Sequence, residues 1–122
     1  MLIGELARLT SVSPRLLRYY EQQGLLTSTR LANGYRDYAD DAPLIVGQIR
    51  ALLDAGLPTE VIREVLPCAE GRPPRFEPCP SLSVLLGEVL ANIQARMDKL
   101  AHHREALVRY LESAGAVSSR NR

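Results

Sequence analysis

The hydrophobic pattern at the start of the chain predicts two short helices separated by a tight turn. Apolar residues recur at helical intervals over residues 3–9 (IGELARL), which is the spacing of an amphipathic helix. A polar turn follows, and Ser13-Pro14 then supplies a capping hydroxyl and a proline at the first helical position. A second helix is therefore expected over residues 14–23, with Gly24 ending it.

The next polar and apolar alternation predicts a β-hairpin. Residues 30–38 (RLANGYRDY) place Asn33-Gly34 between leucine and tyrosine positions. Asn-Gly between such positions favours a type I′ turn, in which both central residues have positive φ. We therefore expect a small two-stranded wing with Asn33 and Gly34 at its tip.

Two further helices and a proline-rich segment follow the wing. Apolar residues recur at helical spacing over residues 42–55, preceded by Asp40-Asp41 as the expected cap, and over residues 58–66. Residues 67–80 (PCAEGRPPRFEPCP) contain five prolines and both cysteines of the chain. Because proline fixes φ and removes a backbone donor, this segment is expected to be a stiff, extended linker.

A long helix is predicted over residues 81–113. Its apolar positions recur at an average interval near that of a coiled coil. These positions are Leu82, Leu86, Val89, Ile93, Met97, Leu100, Leu107 and Leu111. Because a small N-terminal domain cannot cover so long a stripe, we expect it to pair with a second copy in a homodimer. Packing of the helix onto its own domain is the alternative.

Together these elements predict a mainly α protein. Its fold class is a winged helix-turn-helix domain with a small β-hairpin wing, followed by a long dimerising coiled-coil helix. The predicted boundaries are residues 1–66 for the winged helix-turn-helix domain, 67–80 for the Pro-rich, Cys-containing linker, 81–113 for the dimerisation helix and 114–122 for a flexible tail.

Composition excludes several classes of protein. The chain is 46% hydrophobic and 24% charged over 122 residues, which fits one folded domain with an extended element. It contains no apolar run of the roughly 18 residues that a membrane span requires, and its N-terminus lacks the pattern of a secretion signal. We therefore expect a cytoplasmic protein with no membrane partner.

Charge is concentrated near the second helix and the wing. The net charge of the chain is only +1, but residues 14–36 hold four arginines against one acid. This surface indicates an anionic partner, or else a solvated helix face. In a helix-turn-helix the second helix enters the major groove, where Arg15 and Arg18 would reach a guanine edge or a phosphate. Arg36 on the wing would contact phosphate or the minor groove.

Several motifs in this region resemble the N-terminal domain of the MerR family of transcription regulators. The resemblance covers about residues 3–66 and lies in IGELARLTSVSPRLLRYYEQQGLL followed by NGYRDY. The matching signatures are Arg18-Tyr19-Tyr20-Glu21 on the second helix and Gly34-Tyr35-Arg36 on the wing, with a further aromatic at Tyr38.

The resemblance implies a dimer held by an antiparallel coiled coil on a pseudo-palindromic element of double-stranded promoter DNA. Activated members bend and untwist an over-long promoter spacer, which realigns the promoter for RNA polymerase. The DNA-binding residues predicted from the helix-turn-helix, the wing and the resemblance together are Ser13, Arg15, Arg18, Tyr19, Tyr20, Asn33, Gly34, Tyr35, Arg36 and Tyr38. Arg15 is the best candidate for reading sequence, whereas Tyr20 and Tyr35 have the alternative of being core aromatics.

The resemblance also bears on the effector. Drug-responsive members append a large ligand-binding domain, which is not expected in 122 residues. Metal-responsive members carry one cysteine at the start of the dimer helix, where Cys79 lies, and two more after it, which this chain lacks. His102 and His103 are adjacent on a helix and point about 100° apart. No metal site and no cofactor are therefore expected.

The two cysteines, Cys68 and Cys79, flank the proline-rich segment. Cys79 is placed at a helix N-terminus, a position that favours the reactive thiolate. A disulfide between them is a hypothesis for redox control, because it would fix the joint between the DNA-binding domain and the coiled coil. Inert structural thiols and a partial metal site are the alternatives.

Two other classes of function compete with DNA binding. An enzyme is disfavoured because the sequence has no Gly-rich phosphate loop, no His-Glu-x-x-His motif and no nucleophile with a base near it. A coiled-coil interaction adaptor without specific DNA binding is the second alternative. The presence of Arg15, Arg18, Arg36 and Tyr20 argues against it.

Overall fold

The fold was obtained as a computed structural model, and its description covers residues 1–115. The helices in this range are α1 (Ile3–Thr10), α2 (Pro14–Gln22), α3 (Ala42–Asp54), α4 (Thr59–Val65) and α5 (Pro80–Ser113). The strands are β1 (Thr29–Arg30), β2 (Arg36–Asp37), β3 (Ala69–Glu70) and β4 (Arg75–Phe76). Most of the predicted tail at 114–122 lies outside the described residues. The chain forms two compact units, which divide between Cys79 and Pro80.

The first two helices form where the capping signals predict them. Ser11 adopts a left-handed conformation with φ 57° after α1 and turns the chain. The Ser13 side chain accepts a hydrogen bond from the Leu16 N–H at 3.1 Å, and Pro14 occupies the first helical position. This arrangement satisfies a backbone donor that the first turn of a helix otherwise leaves unpaired.

The core of the first unit is aliphatic and is completed by two tyrosines. Helix α3 packs against both α1 and α4. The buried hydrophobic residues of this unit are Leu6, Val12, Leu17, Tyr20, Leu25, Leu26, Tyr38, Ala42, Val46, Ile49, Leu52, Ile62 and Val65. They come from all four helices and from the segments that flank the wing, so the wing is attached to the same core as the helix-turn-helix.

The predicted wing is present, but its turn differs from the expected type I′. The register pairs Thr29 with Asp37 and Arg30 with Arg36. Gly34 has φ 88°, whereas Asn33 does not have positive φ, so the type I′ prediction is wrong. The Gly34 N–H instead donates to Leu31 O at 2.9 Å, and the connection is one residue longer. A three-residue connection requires only one left-handed residue, and glycine supplies it.

Asp41 occupies the N-cap position of α3 without acting as the predicted cap. Its side chain makes no capping hydrogen bond. The backbone there has φ −86° and ψ 0°, whereas a capping side chain normally needs an extended backbone at this position. Pro43 in the first turn lacks an N–H, so one of the donors that a cap would satisfy is not there.

The prediction of an extended linker after α4 is wrong for residues 69–76. A 3₁₀ turn at Leu66–Cys68 is followed by β3 and β4, which pair antiparallel with Ala69 opposite Phe76. The buried Gln48 side chain donates to Gly71 O at 3.0 Å and ties this second hairpin to α3. Pro73 and Pro74 lie in the turn between the strands, where proline removes no ladder hydrogen bond.

The second unit is dominated by α5, a helix of 34 residues, which corresponds to a length of about 50 Å. Of the predicted stripe, Leu82 is buried, and Leu86, Val89 and Ile93 are half-buried. The exposed members of the stripe are Met97, Leu100, Leu107 and Leu111, at 57%, 65%, 60% and 46%. Within residues 1–115, no helix combines the length and the apolar content that a membrane span would need.

Candidate nucleic-acid interface

A groove of about 560 Å³ lies between the start of α1, helix α2 and the wing. We call it the wing groove. Its lining residues are Leu2, Ile3, Gly4, Glu5, Arg18, Gly34, Tyr35 and Arg36. Arg18 comes from α2 and Arg36 from β2, so the fold brings two guanidinium groups from distant parts of the sequence to one surface. The two guanidinium groups outnumber the one carboxylate of the lining, Glu5, and this balance favours an anionic ligand.

Most of the other predicted contact residues are accessible to solvent. Arg15 and Arg18 are exposed, and the side chains of Tyr19 and Tyr35 are 45% and 61% exposed. The sequence left open whether Tyr35 is a core aromatic, and the exposure of its side chain shows that it is not. Asn33 is also exposed, but its side-chain oxygen accepts from the Tyr35 N–H at 3.0 Å and thereby supports the turn.

Two of the predicted contact residues, Tyr20 and Tyr38, are core side chains. Only 2% of Tyr20 and 1% of Tyr38 is accessible. Tyr20 lies one turn after Leu17 and therefore shares the inner face of α2 with it. The prediction that Tyr20 and Tyr38 contact DNA through their side chains is corrected accordingly, because neither ring reaches the surface.

Glu21 is central to this region and is absent from the predicted site. Its Oε1 accepts a hydrogen bond from the Tyr38 hydroxyl at 2.9 Å, and its Oε2 accepts one from Ser28 Oγ at 2.8 Å. Arg36 Nε lies 3.2 Å from the same Oε1. Two sequence signals pointed to Glu21: it is the single acid among the arginines of residues 14–36, and it ends the Arg18-Tyr19-Tyr20-Glu21 signature.

The Arg36–Glu21 pair is partly buried. The side chains are 29% and 24% exposed, respectively. Arg36 Nε is shielded from solvent, and within the described part of the chain it has no partner with hydrogen-bond geometry. The pair at 3.2 Å is therefore a charge contact rather than a well-directed hydrogen bond.

Burial raises the pKa of both core tyrosines. Burial, followed by the hydrogen bond to Glu21 and its negative charge, raises the pKa of Tyr38 to about 12, against the opposing effect of Arg36 and Arg18. Burial also raises the pKa of Tyr20, while Arg50 opposes that shift. Tyr38 is therefore a stable hydrogen-bond donor to Glu21 at neutral pH.

A second arginine of the wing has a structural role. Arg30 Nη1 donates to Gly34 O at 2.7 Å, so this side chain closes the wing onto its own turn. The Leu31 N–H also donates to Tyr35 O at 2.8 Å. These contacts fix the loop that carries Tyr35 and Arg36 into the wing groove.

The two cysteines bracket the second hairpin. Cys68 ends the 3₁₀ turn before β3, and Cys79 lies three residues after β4. Both are exposed, and no disulfide joins them. Across residues 1–115, no group of three or more His, Cys, Asp or Glu residues is arranged to hold a metal ion.

Comparison with known proteins identifies the family. Residues 1–68 match the MerR HTH family regulatory protein family. The transcriptional regulator HmrR of Sinorhizobium medicae is 40% identical over 67 residues, which are 54% of this chain and 46% of HmrR. The chain thus spans about half the length of several relatives that it matches.

Two further matches extend beyond the N-terminal domain. The transcriptional regulator ZntR of Escherichia coli K12 is 31% identical over 108 residues, covering 88% of this chain and 75% of ZntR. The crystal structure of PbrR691 from Ralstonia metallidurans CH34, solved with lead(II), has a TM-score of 0.74 at 25% identity and covers 89% of this chain and 83% of that one.

These matches confirm the predicted fold class, a winged helix-turn-helix followed by a long helix. They are also regulators rather than enzymes, in agreement with the lack of catalytic motifs. The chain belongs to the MerR family of helix-turn-helix regulatory proteins.

Proposed function

We propose that this chain is a sequence-specific transcription regulator that binds double-stranded promoter DNA as a homodimer. The observation that carries the proposal is the wing groove, in which Arg18 of the second helix and Arg36 of the wing line one surface. Two arginines on one surface between the second helix and the wing can bind two phosphates of a DNA backbone. The names of HmrR and ZntR as transcriptional regulators support the same function.

Each exposed residue has a distinct role in this proposal. Arg15, in the first turn of α2, is exposed and reads a base edge in the major groove. Arg18 and Arg36 bind phosphates on either side of the wing groove. The phenol groups of Tyr19 and Tyr35 are exposed donors for phosphate or sugar oxygens.

The remaining predicted residues shape the surface rather than contact the nucleic acid. Ser13 caps α2, and Asn33 and Gly34 fix the tip of the wing. These three residues set where the arginines lie, and their effect on DNA binding is indirect. Tyr20 and Tyr38 act from the core in the same indirect way.

Dimerisation is assigned to the apolar stripe of α5 in an antiparallel coiled coil. The side chains of Met97, Leu100 and Leu107 are each more than half exposed in one chain. Aligned apolar side chains on a long helix are normally covered by another helix. A symmetric pair of helices covers both stripes and gives one DNA-binding unit for each half-site.

Binding is best tested on a duplex selected by the protein itself. Several rounds of selection from fragments of genomic DNA, or from randomised 40-base-pair duplexes, supply the probe, and fluorescence anisotropy at several salt concentrations measures the affinity. Arg18→Gln and Arg36→Gln are each expected to weaken binding about tenfold on all sequences, and to reduce the salt dependence by about one phosphate contact.

Arg15→Gln distinguishes base reading from phosphate binding. This variant is expected to relax the selected sequence at one position rather than to weaken all duplexes equally. Arg109→Gln, on the face of α5 opposite the stripe, removes the same charge and is expected to leave affinity unchanged. If the wild-type chain selects no sequence and shows no salt-dependent binding, the interaction-adaptor alternative is favoured instead.

Promoter activation belongs to the same proposal. We infer that the dimer bends and untwists an over-long promoter spacer, so that RNA polymerase can engage both promoter hexamers. In vitro transcription from the selected promoter is expected to depend on the protein. A version with a shortened spacer is expected to be transcribed equally with and without it, and protein-dependent transcription from both templates would contradict this mechanism.

Control by the cysteine pair is a second hypothesis. Cys68 and Cys79 lie on either side of the second hairpin along the chain, and both side chains are exposed. A hydroperoxide would take two electrons and two protons from the two thiols, which yields a disulfide, water and an alcohol. Unchanged transcription under a hydroperoxide, or an equal response in a Cys68→Ser/Cys79→Ser variant, would leave these residues as inert thiols.

A further inference from the structure

One carboxylate connects helix α2 to both arms of the wing. Glu21 lies in the last turn of α2, and its two oxygens accept from Ser28 and from Tyr38. Ser28 directly precedes β1, and Tyr38 directly follows β2. The same carboxylate lies 3.2 Å from Arg36 Nε in β2. The position of the wing relative to α2 therefore depends on Glu21.

A negative charge within the basic surface opposes DNA binding unless it also has a favourable role there. Glu21 is the one acid within the basic segment 14–36, and its repulsion of phosphate acts against the surrounding arginines. Its contact with Arg36 uses the Nε side of the guanidinium. Arginine has further donors on its two terminal nitrogens, which remain for a phosphate in the wing groove.

We infer that Glu21 is a positioning residue for DNA binding, which holds Arg36 of the wing at a set place relative to Arg18 of α2. This inference rests on the proposed DNA-binding function. A long arginine side chain otherwise samples many rotamers, and ordering it on binding reduces affinity. Glu21 orders Arg36 before DNA binds. The negative charge of Glu21 therefore improves binding, although a negative charge by itself repels DNA.

For the Glu21→Gln variant, this inference and general electrostatics predict opposite changes in DNA affinity. The glutamine side chain retains an oxygen acceptor for Tyr38 and a hydrogen-bonding group for Ser28 but loses the charge that holds Arg36. Removing one negative charge from a DNA-binding surface by itself tightens binding. We expect Glu21→Gln instead to weaken binding about fivefold, measured by anisotropy on the selected duplex at fixed salt.

Glu64→Gln is the matched control. Glu64 is an exposed acid on α4 in the same compact unit, and its replacement makes the same change in net charge. This variant is expected to bind as tightly as the wild-type chain or slightly more tightly. Equal behaviour of Glu21→Gln and Glu64→Gln would overturn the positioning role.

A double-mutant cycle separates positioning from a merely structural effect. In an Arg36→Gln background, the loss caused by Glu21→Gln is expected to disappear, because the group that Glu21 positions is no longer there. A loss that persists unchanged in that background would overturn the inference. If Arg36→Gln itself has no effect, the proposed role of the wing fails before the question of Glu21 arises, so the two failures are distinguishable.

Ser28→Ala tests the same network if Glu21→Gln does not fold, as judged by circular dichroism and cooperative unfolding. It removes one hydrogen bond to Glu21 and leaves both charges of the pair. We expect about twofold weaker binding that also disappears in the Arg36→Gln background. A twofold loss that persists there, or no loss at all, would contradict the inference.

Discussion

The two units of the chain handle their apolar residues in opposite ways. The unit that ends at Cys79 has a common aliphatic core, in which Leu6, Leu17 and Ile49 are fully buried. In the other unit, the described part of α5 leaves Leu90, Leu100 and Leu107 at 60–67% exposure. Both units have amphipathic sequences, so their patterns alone do not distinguish them.

The difference shows what each unit requires in order to be stable. Four helices and two hairpins give the first unit internal partners for its apolar faces. A single long helix has no such partner, because its own side chains cannot cover one another. The first unit is therefore expected to be stable within one chain, whereas the helix is expected to need a second copy.

The largest expected effect comes from charges placed in the apolar stripe. Leu100→Glu combined with Leu107→Glu puts acidic groups where two helices are proposed to meet, and burying unpaired charges there is strongly unfavourable. The variant is expected to be monomeric by light scattering and to bind the selected duplex about 100-fold more weakly. His102→Glu, on the opposite face of α5, is the control and is expected to remain dimeric.

Truncation of an apolar side chain should lower the free energy of unfolding more in the first unit than on α5. Ile49→Ala is expected to lower the free energy of unfolding by about 2–5 kcal/mol, because it leaves a cavity in the first unit. Val84 is 63% exposed on α5, and Val84→Ala is expected to cost less than about 0.5 kcal/mol. Urea denaturation at a fixed protein concentration measures both. Similar losses would contradict the contrast between the units.

Alkaline pH should affect the first unit through Tyr38. Its pKa is raised from 10.0 to about 12, so the folded state keeps the proton that the unfolded chain loses. The stabilisation is complete below pH 10 and falls by about 2–3 kcal/mol as the pH rises to 12. Urea titrations at pH 9 and 11 should show this loss in the wild type and a smaller one in Tyr38→Phe. Equal losses would exclude Tyr38 as the source.

The smallest expected effect is the loss of the cap of α2. Ser13→Ala removes the acceptor of the Leu16 N–H and should lower the free energy of unfolding by about 1 kcal/mol. Ser13→Asp restores an acceptor and is expected to recover most of the loss. If alanine is tolerated without any loss, the cap does not contribute to the stability of the first unit.

Short-range patterns predicted much of the fold. The Ser13-Pro14 signal located the start of α2, and the Asn-Gly pair located the wing, because capping and turn preferences act over a few residues. The same Asn-Gly pair did not determine the turn type, since one left-handed glycine also suits a longer connection. Residues 69–76 were expected to form a linker because of their prolines. In the structure Pro73 and Pro74 lie in the turn of a hairpin, where they do not interrupt the pairing of the strands.

The candidate site was less predictable than the fold. Its exposed arginines were found from charge and position, but the burial of Tyr20 and Tyr38 depends on packing of the whole unit. Glu21 was missed because its partners lie 7 and 17 residues away along the chain, and only the folded wing brings them together. Long-range hydrogen bonds of this kind leave no periodic trace in a sequence.

The central claim is that two copies of this chain bind one DNA duplex. Sedimentation velocity of the 122-residue chain with the selected, fluorescently labelled duplex tests it most directly, at micromolar protein and two salt concentrations. The account predicts a complex of two chains per duplex that dissociates steeply as salt rises. A complex of one chain per duplex, or free duplex at both salt concentrations, would contradict it.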